Sequence, residues 1–209
     1  LNSDIDLGDK AWTPIANEEL FFGTFDGNGH IIKGLNVPDA EYPGLFGWIF
    51  GSIRNLIVMG TVTGGDRADN ESGLAGGICG QNDGTIQNCG FVGNITTEAF
   101  LDLGGIAGYG DAENCWFYST ETDHDVGITG NGDATDCYQN VNDSVEGTYK
   151  TNEEFANGTV VGLLNANLPE GCKKWVQGTE YPVFPNADEA GKTVILVPFF
   201  PDSACAGLV

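Results

Sequence analysis

The sequence predicts an all-β fold of stacked repeats, a β-solenoid, and three observations carry that expectation. First, one unit recurs. It has a small-residue run, a polar turn and an apolar strand, as in Gly73–Gly93; the other copies are Gly44–Gly60, Gly104–Tyr118 and Gly127–Tyr138. The matched positions Asn55, Asn88, Asn114 and Asp136 lie 33, 26 and 22 residues apart. A drifting period of roughly 20–30 residues is what stacked strand-and-turn repeats produce. Second, 32 of the 209 residues are glycine, about twice the average usage of ~7%, which implies many tight turns between short strands. Third, the apolar residues come in short runs, and a helix-start signal appears only after Val141.

The chain opens with an alternating strand, Leu1–Gly8. A segment demoted to an edge by Pro14 follows. Phe21–Leu35 reads as strand, Asp-Gly-Asn-Gly turn, strand, because Asn and Gly tolerate positive φ. The four repeats come next, with an insertion at 65–71 that explains the drift. Residues 1–145 are assigned to the repeats. Residues 146–186 form a C-terminal cap, opened by the capping-box pattern of Thr151 and Glu154 and ended by the strand Tyr181-Pro182-Val183-Phe184. Phe155, Val161, Leu163, Leu164 and Leu168 are expected to pack it over the open end of the stack. Residues 187–209 form a β or irregular tail.

Stacking the repeats aligns side chains in columns. One is Leu56, Cys89, Cys115 and Cys137; the next is Val58, Phe91, Phe117 and Gln139. Leu56 marks the first column as an apolar interior slot, so its cysteines are read as small buried hydrophobes rather than disulfide or zinc partners. Asn55, Asn88 and Asn114 sit at corners, where side-chain amides bridge one repeat to the next. Cys172 and Cys205 lie outside the repeats, and a bridge between them stays open.

Charge excludes several classes of partner. Thirty acidic residues against eight basic ones give a net charge of −22. Nucleic acid and anionic membrane surfaces need clustered Lys and Arg. No apolar run approaches the ~18 residues of a membrane span, so no membrane insertion is expected. If the protein is exported, its signal lies outside this segment. No metal site is assigned. Asp26-Gly27-Asn28-Gly29 lacks the spaced ligands of a calcium loop, and the clusters Asp66/Asp69/Glu71 and Glu121/Asp123/Asp125 are read as solvated acidic loops. His30 is read as structural and His124 as a surface residue. No nucleophile motif, cofactor motif or catalytic residue is found.

Several stretches together resemble the GLUG-motif repeat proteins: WTPI (12–15), FFGTFDGNGHIIKGLNV (21–37), GLFGWIFGSIRNL (44–56), GGICGQNDGTIQNCGFVG (76–93), GGIAGYG (104–110), and the ending LLNANL (163–168) with Trp175 and YPVF (181–184). Ile128-Thr129-Gly130 departs from the repeat pattern. The resemblance implies a single-stranded right-handed parallel β-helix, in agreement with the general right-handed crossover rule. It further implies a place in large secreted or wall-attached bacterial proteins, including adhesin-like ones, and brings no catalytic site.

The expected function is therefore a non-catalytic extracellular module of a larger bacterial surface protein, acting as a rigid spacer or an adhesive surface for a glycan or protein. If Cys115 and Phe117 point inward, Trp116, Tyr118 and Tyr138 point outward; they are the ligand-binding candidates, unless the C-terminal segment covers them. The competing expectation is a carbohydrate-active β-helix enzyme, a polysaccharide lyase or glycoside hydrolase. Such an enzyme needs convergent carboxylates, for which Asp4/Asp6 and Asp123/Asp125 offer the only same-face spacings noted.

Overall fold

A computed structural model describes residues 1–38, 40–64, 73–97, 101–121, 126–142 and 146–186. The fold is mostly β and its two main sheets are parallel throughout. In the larger, ten-stranded sheet, strand Ser52–Gly64 lies against Thr24–Val37 on one side. On its other side lie Thr85–Gln87 and Gly90–Thr97, and beyond them Ala112–Glu113, Trp116–Ser119, Ala134–Thr135 and Tyr138–Gln139. The six-stranded sheet runs Ile15–Phe21, Phe46–Ile49, Cys79–Asn82, Leu101–Tyr109, Gly127–Asn131, with Gly73–Gly76 also paired to Leu101–Tyr109.

This arrangement corrects the expected fold class. The structure shows two separate parallel sheets curled as a half-barrel, not a single β-helix solenoid closed by an end cap. The repeats are not equivalent units: strands shorten along the chain from 14 residues at Thr24–Val37 to 2 at Ala134–Thr135 and Tyr138–Gln139. The C-terminal segment lies along the side of the larger sheet rather than over its end. Helices α1 (Asn152–Ala156) and α2 (Thr159–Ala166) and the antiparallel pair Val176–Gln177 and Pro182–Val183 cover the outer face of that sheet.

The main core fills the space between the two sheets. Phe46, Ile53, Leu56, Val58, Phe91, Ile106 and Phe117 are all fully buried there. The small-residue runs exist for this packing. A Cβ on Gly77 would stand 2.3 Å from the Phe91 ring, and one on Gly105 would stand 2.1 Å from the Phe117 ring. Both are well inside the ~3.5 Å of carbon–carbon contact, so Phe91 and Phe117 each require a glycine opposite the ring.

The Asp-Gly-Asn-Gly stretch differs from its expectation too. It does not separate two strands; it bends one strand, Thr24–Val37. The flanks pair in the same parallel sense, Phe25 with Ile53 and Ile31 with Ile57. Asn28 takes φ 53°, and Asn55, Asn88, Asn114 and Asp136 take φ 52–55° at the matched bends. Asparagine and aspartate tolerate this left-handed region better than other side chains, which is why they recur at those positions.

Among the described residues no helix is long and apolar enough to cross a membrane. α1 is N-capped by Thr151, whose hydroxyl accepts from the Glu154 amide while the Glu154 carboxylate accepts from the Thr151 amide.

Candidate functional site

The residues singled out from sequence divide into an interior set and an exterior set. In the interior, Leu56, Cys89, Cys115 and Cys137 are buried. The cysteines are free thiols. Each thiol donates to a carbonyl two residues upstream, Cys89 to Gln87, Cys115 to Glu113 and Cys137 to Thr135, at 3.2–3.3 Å. The amides of Cys89 and Cys115 in turn donate to the next sulfur, at 3.4 and 3.3 Å. Burial pushes the thiols of Cys89 and Cys137 well up from their ordinary value. Cys205 lies outside the described residues, as do Asp66, Asp69, Glu71, Asp123, His124 and Asp125; Cys172 is half-buried and free.

The asparagine column is a hydrogen-bonded ladder. Asn55 donates to Asp26 at 3.1 Å, Asn88 to Asn55 at 2.8 Å and Asn114 to Asn88 at 2.8 Å. The C-terminal segment fastens onto it. The Lys173 amide donates to the Asn55 side chain, the Lys173 carbonyl accepts from Asn88, and the Trp175 indole N–H donates to Asn88 at 2.6 Å. Further along, Asn167 donates to Asp136 and Asn186 to the Asn28 carbonyl.

The ligand candidates are therefore mostly covered. Trp116 is fully buried and Tyr138 is 6% exposed. Trp116 sits edge-on to Trp175 and Phe155 and stacks on Tyr181. Tyr118 is half-buried against Phe155 and Tyr181. Alternation placed these rings on the outer face correctly, but that face is a second apolar core. Gly90 shows how closely it is fitted: a Cβ there would meet the Trp116 ring at 2.3 Å. The carboxylates Asp4 and Asp6 are likewise engaged. Asp4 is buried and accepts from the Ile31 amide, with His30 Nδ1 at 2.8 Å. Asp6 pairs with Lys33 at 3.3 Å.

Other partly exposed aromatic side chains stand on the six-stranded sheet. In the six-stranded sheet Leu20, Trp48, Gln81, Tyr109 and Asn131 are in register across five strands. Alternation with the next residue along turns Trp48 and Gln81 outward, since the adjacent Ile49 and Asn82 are buried. Phe22 and Phe50, 71% and 42% exposed, extend the aromatic surface. Ring centroids are 5.6 Å apart for Phe22 and Phe50, 5.7 Å for Phe50 and Trp48, and 5.4 Å for Trp48 and Tyr42. Asp83 accepts from both the Trp48 indole N–H and the Gln81 amide, which fixes the indole plane. An open cleft of about 360 Å³ lies beside Trp48 and Tyr42 and is rimmed by Glu18, Glu19 and Glu41. A second, of about 270 Å³, is lined by Asp83, Tyr109, Asp111 and Asn131. Exposed ring faces beside fixed amides and carboxylates can stack on and hydrogen-bond to a ligand. Sequence reading missed this row. Alternation counted from the inward Phe46 and Ala107 would have put Trp48 and Tyr109 inside, and only the register of the neighbouring strands shows otherwise. Among the described residues no three His, Cys, Asp or Glu side chains group as a metal site.

No family model matches the chain. Halomucin from Haloquadratum walsbyi is 33% identical over 114 residues, covering 46% of this chain and 1% of that protein, so the chain corresponds to a very small part of its relative's length. Among solved structures, a Bacteroides ovatus protein provisionally assigned as an immunoglobulin A1 protease matches with a TM-score of 0.50 and 21% identity, over 90% of this chain and 85% of that one. That likeness is one of fold.

Proposed function

We propose that this chain is a non-catalytic, GLUG-type module of a larger extracellular surface protein, serving as a rigid spacer whose six-stranded sheet presents an adhesive face to a glycan. One observation carries the reading. Side chains capable of chemistry are engaged in internal bonds: the sulfurs of Cys115 and Cys137, the asparagine ladder, the pair of His30 with Asp4 and that of Arg54 with Asp26 at 2.9 Å. The aromatic row on the opposite sheet instead faces outward. A match to a short stretch of a far longer protein supports its being part of a larger chain. Its fold neighbour's provisional assignment as a protease does not carry over as an activity, because at 21% identity the likeness is one of fold.

The experiment is a glycan array read beside a reducing-sugar release assay on polysaccharides that score. Binding that is lost in Trp48→Ala and Tyr109→Ala, without release of reducing ends, is the expected result. Turnover of any polysaccharide overturns the non-catalytic reading, and binding that survives both substitutions overturns the assigned face.

A further inference from the structure

The cleft beside Trp48 has a specific chemical character. The Trp48 ring lies against that of Tyr42, only 7% exposed, at an interplanar angle of 33°, and Leu20, 36% exposed, continues the apolar surface. The Trp48 ring cannot swing freely, since its N–H is held by Asp83. Around these rings stand Glu18, Glu19 and Glu41, all exposed. Among the described residues the ion pairs are His30 with Asp4, Lys33 with Asp6, Arg54 with Asp26 and Lys150 with Glu154. None of them neutralises these three carboxylates.

Aromatic faces beside unpaired carboxylates attract cations and repel anions. We propose that this cleft binds a quaternary ammonium group, of the kind that choline carries. A primary ammonium is compact and strongly hydrated, and the ring-and-leucine surface offers it little in exchange for its water. A methylated ammonium has apolar methyl groups to lay against Trp48 and Leu20, while its charge is diffuse enough to be held by the indole face and the carboxylate rim together. The cleft volume of about 360 Å³ accommodates such a head group. The inference rests on the reading of this sheet as the adhesive face, and it names the ligand chemistry at one end of that face.

The test is a titration of the ¹⁵N-labelled chain followed through its four tryptophan indole resonances, of residues 12, 48, 116 and 175. The probes are choline, ethanolamine, phosphocholine and the neutral isostere 3,3-dimethyl-1-butanol. The expected result is a saturable shift of the Trp48 resonance by choline alone, with the other three probes at least tenfold weaker. Trp48→Ala and the triple variant Glu18→Gln/Glu19→Gln/Glu41→Gln should each raise the choline dissociation constant at least tenfold. The triple variant alters only exposed side chains, so it reports even where Trp48→Ala perturbs the fold. No response to choline, or an equal response to the neutral isostere or to ethanolamine, overturns the proposal. Phosphocholine binding as tightly as choline overturns the role given to the carboxylates. A glycan array that still scores while choline is silent removes this inference and leaves the adhesive reading; choline binding with a silent array does the reverse.

Discussion

Asn88 is the node at which the repeats and the C-terminal segment are joined, so its substitution measures that joint. Its side chain donates to Asn55 and to the Lys173 carbonyl, and accepts from Asn114 and from the Trp175 indole. Asn88→Ala strands two donors, Asn114 Nδ2 and Trp175 Nε1, and one acceptor, the Lys173 carbonyl. Asn55 keeps a partner, because the Lys173 amide also donates to it. Each orphaned buried group costs about 1–3 kcal/mol. The low end applies, since the vacated space admits water, giving about 3 kcal/mol for the three. Alanine at φ 55° adds about 1 kcal/mol of backbone strain. The expected loss is thus ~4 kcal/mol, a large share of the ~5–15 kcal/mol that holds a domain together. Asn88→Gly strands the same three groups without the strain, so it should lose ~3 kcal/mol. Equilibrium unfolding in guanidinium chloride, read by the fluorescence of Trp116 and Trp175 in the adjoining cluster, gives both numbers. A loss below about 1 kcal/mol in both variants refutes the ladder as the joint; equal losses in the two refute the backbone-strain component.

Three further outcomes follow from the same geometry. The ladder stops at Asn114, whose buried carbonyl oxygen has no donor, because Asp136 at the next position has only oxygens to offer; Asp136→Asn supplies the donor and should add about 1 kcal/mol, raising Tm in calorimetry by ~2–4 °C. Partial burial works against the charged Asp26 carboxyl, yet donors from Asn55, the Asn28 amide and Arg54 hold it below the ordinary carboxylate value. Its ionised form is therefore favoured by folding: the contribution is complete above the unfolded value of ~3.9 and is lost as pH falls through the lower folded value, so Asp26→Asn should flatten the acid limb of a stability–pH curve. Native alkylation with iodoacetamide, mapped by mass spectrometry, should label the half-buried Cys172 before Cys79, Cys89, Cys115 or Cys137, all of which are buried.

The net charge of −22 acts on the whole fold rather than on one bond. Like charges at this density repel most strongly in the compact state, and the screening length falls from about 10 Å at 0.1 M salt to about 3 Å at 1 M. Tm should therefore rise with sodium chloride over that range. A Tm that falls would mean that the few ion pairs, such as Arg54 with Asp26, outweigh the repulsion.

How much of this was legible in the sequence depends on what each pattern physically encodes. Register was legible, because a corner asparagine with positive φ and an inward Leu or Cys recur together: Asn55-Leu56, Asn88-Cys89 and Asn114-Cys115 fall into adjoining positions of one sheet. The sheet architecture was not. A period in sequence reports that strands pair in parallel, but it does not say that they divide between two sheets of unequal strand length. The bend at Asn28 was read as a turn for a related reason. Positive φ at Asn and Gly serves a reversal and a bend equally, and only the partner strand Ser52–Gly64 decides between them.

A covered face was read as an exposed one for a physical reason that the second core makes plain. Alternation of period two assigns side chains to two faces without saying which face meets water. Trp116, Tyr118 and Tyr138 read as an exposed stripe because their neighbours Cys115, Phe117 and Cys137 already account for the core. What covers them is a segment roughly twenty to seventy residues later, and its own helices look like an end cap because α1 and α2 are short. The discriminating detail was Gly90. An outward position in contact with solvent does not require glycine, whereas one beneath the Trp116 ring does, since a Cβ there would stand 2.3 Å from it. The outward row that contains Leu20, Trp48 and Tyr109 carries no such glycine between its rings; Gln81 separates Trp48 from Tyr109. A glycine in an outward column thus marks a ring lying flat across the sheet beneath a covering segment, and a polar side chain there marks an open face. By that criterion Gly90→Ala should loosen the covering segment from the larger sheet, and the exposure of Trp116 and Trp175 to acrylamide quenching measures it. Unchanged quenching in that variant would show that the fit of Trp116 to the sheet does not hold the segment in place.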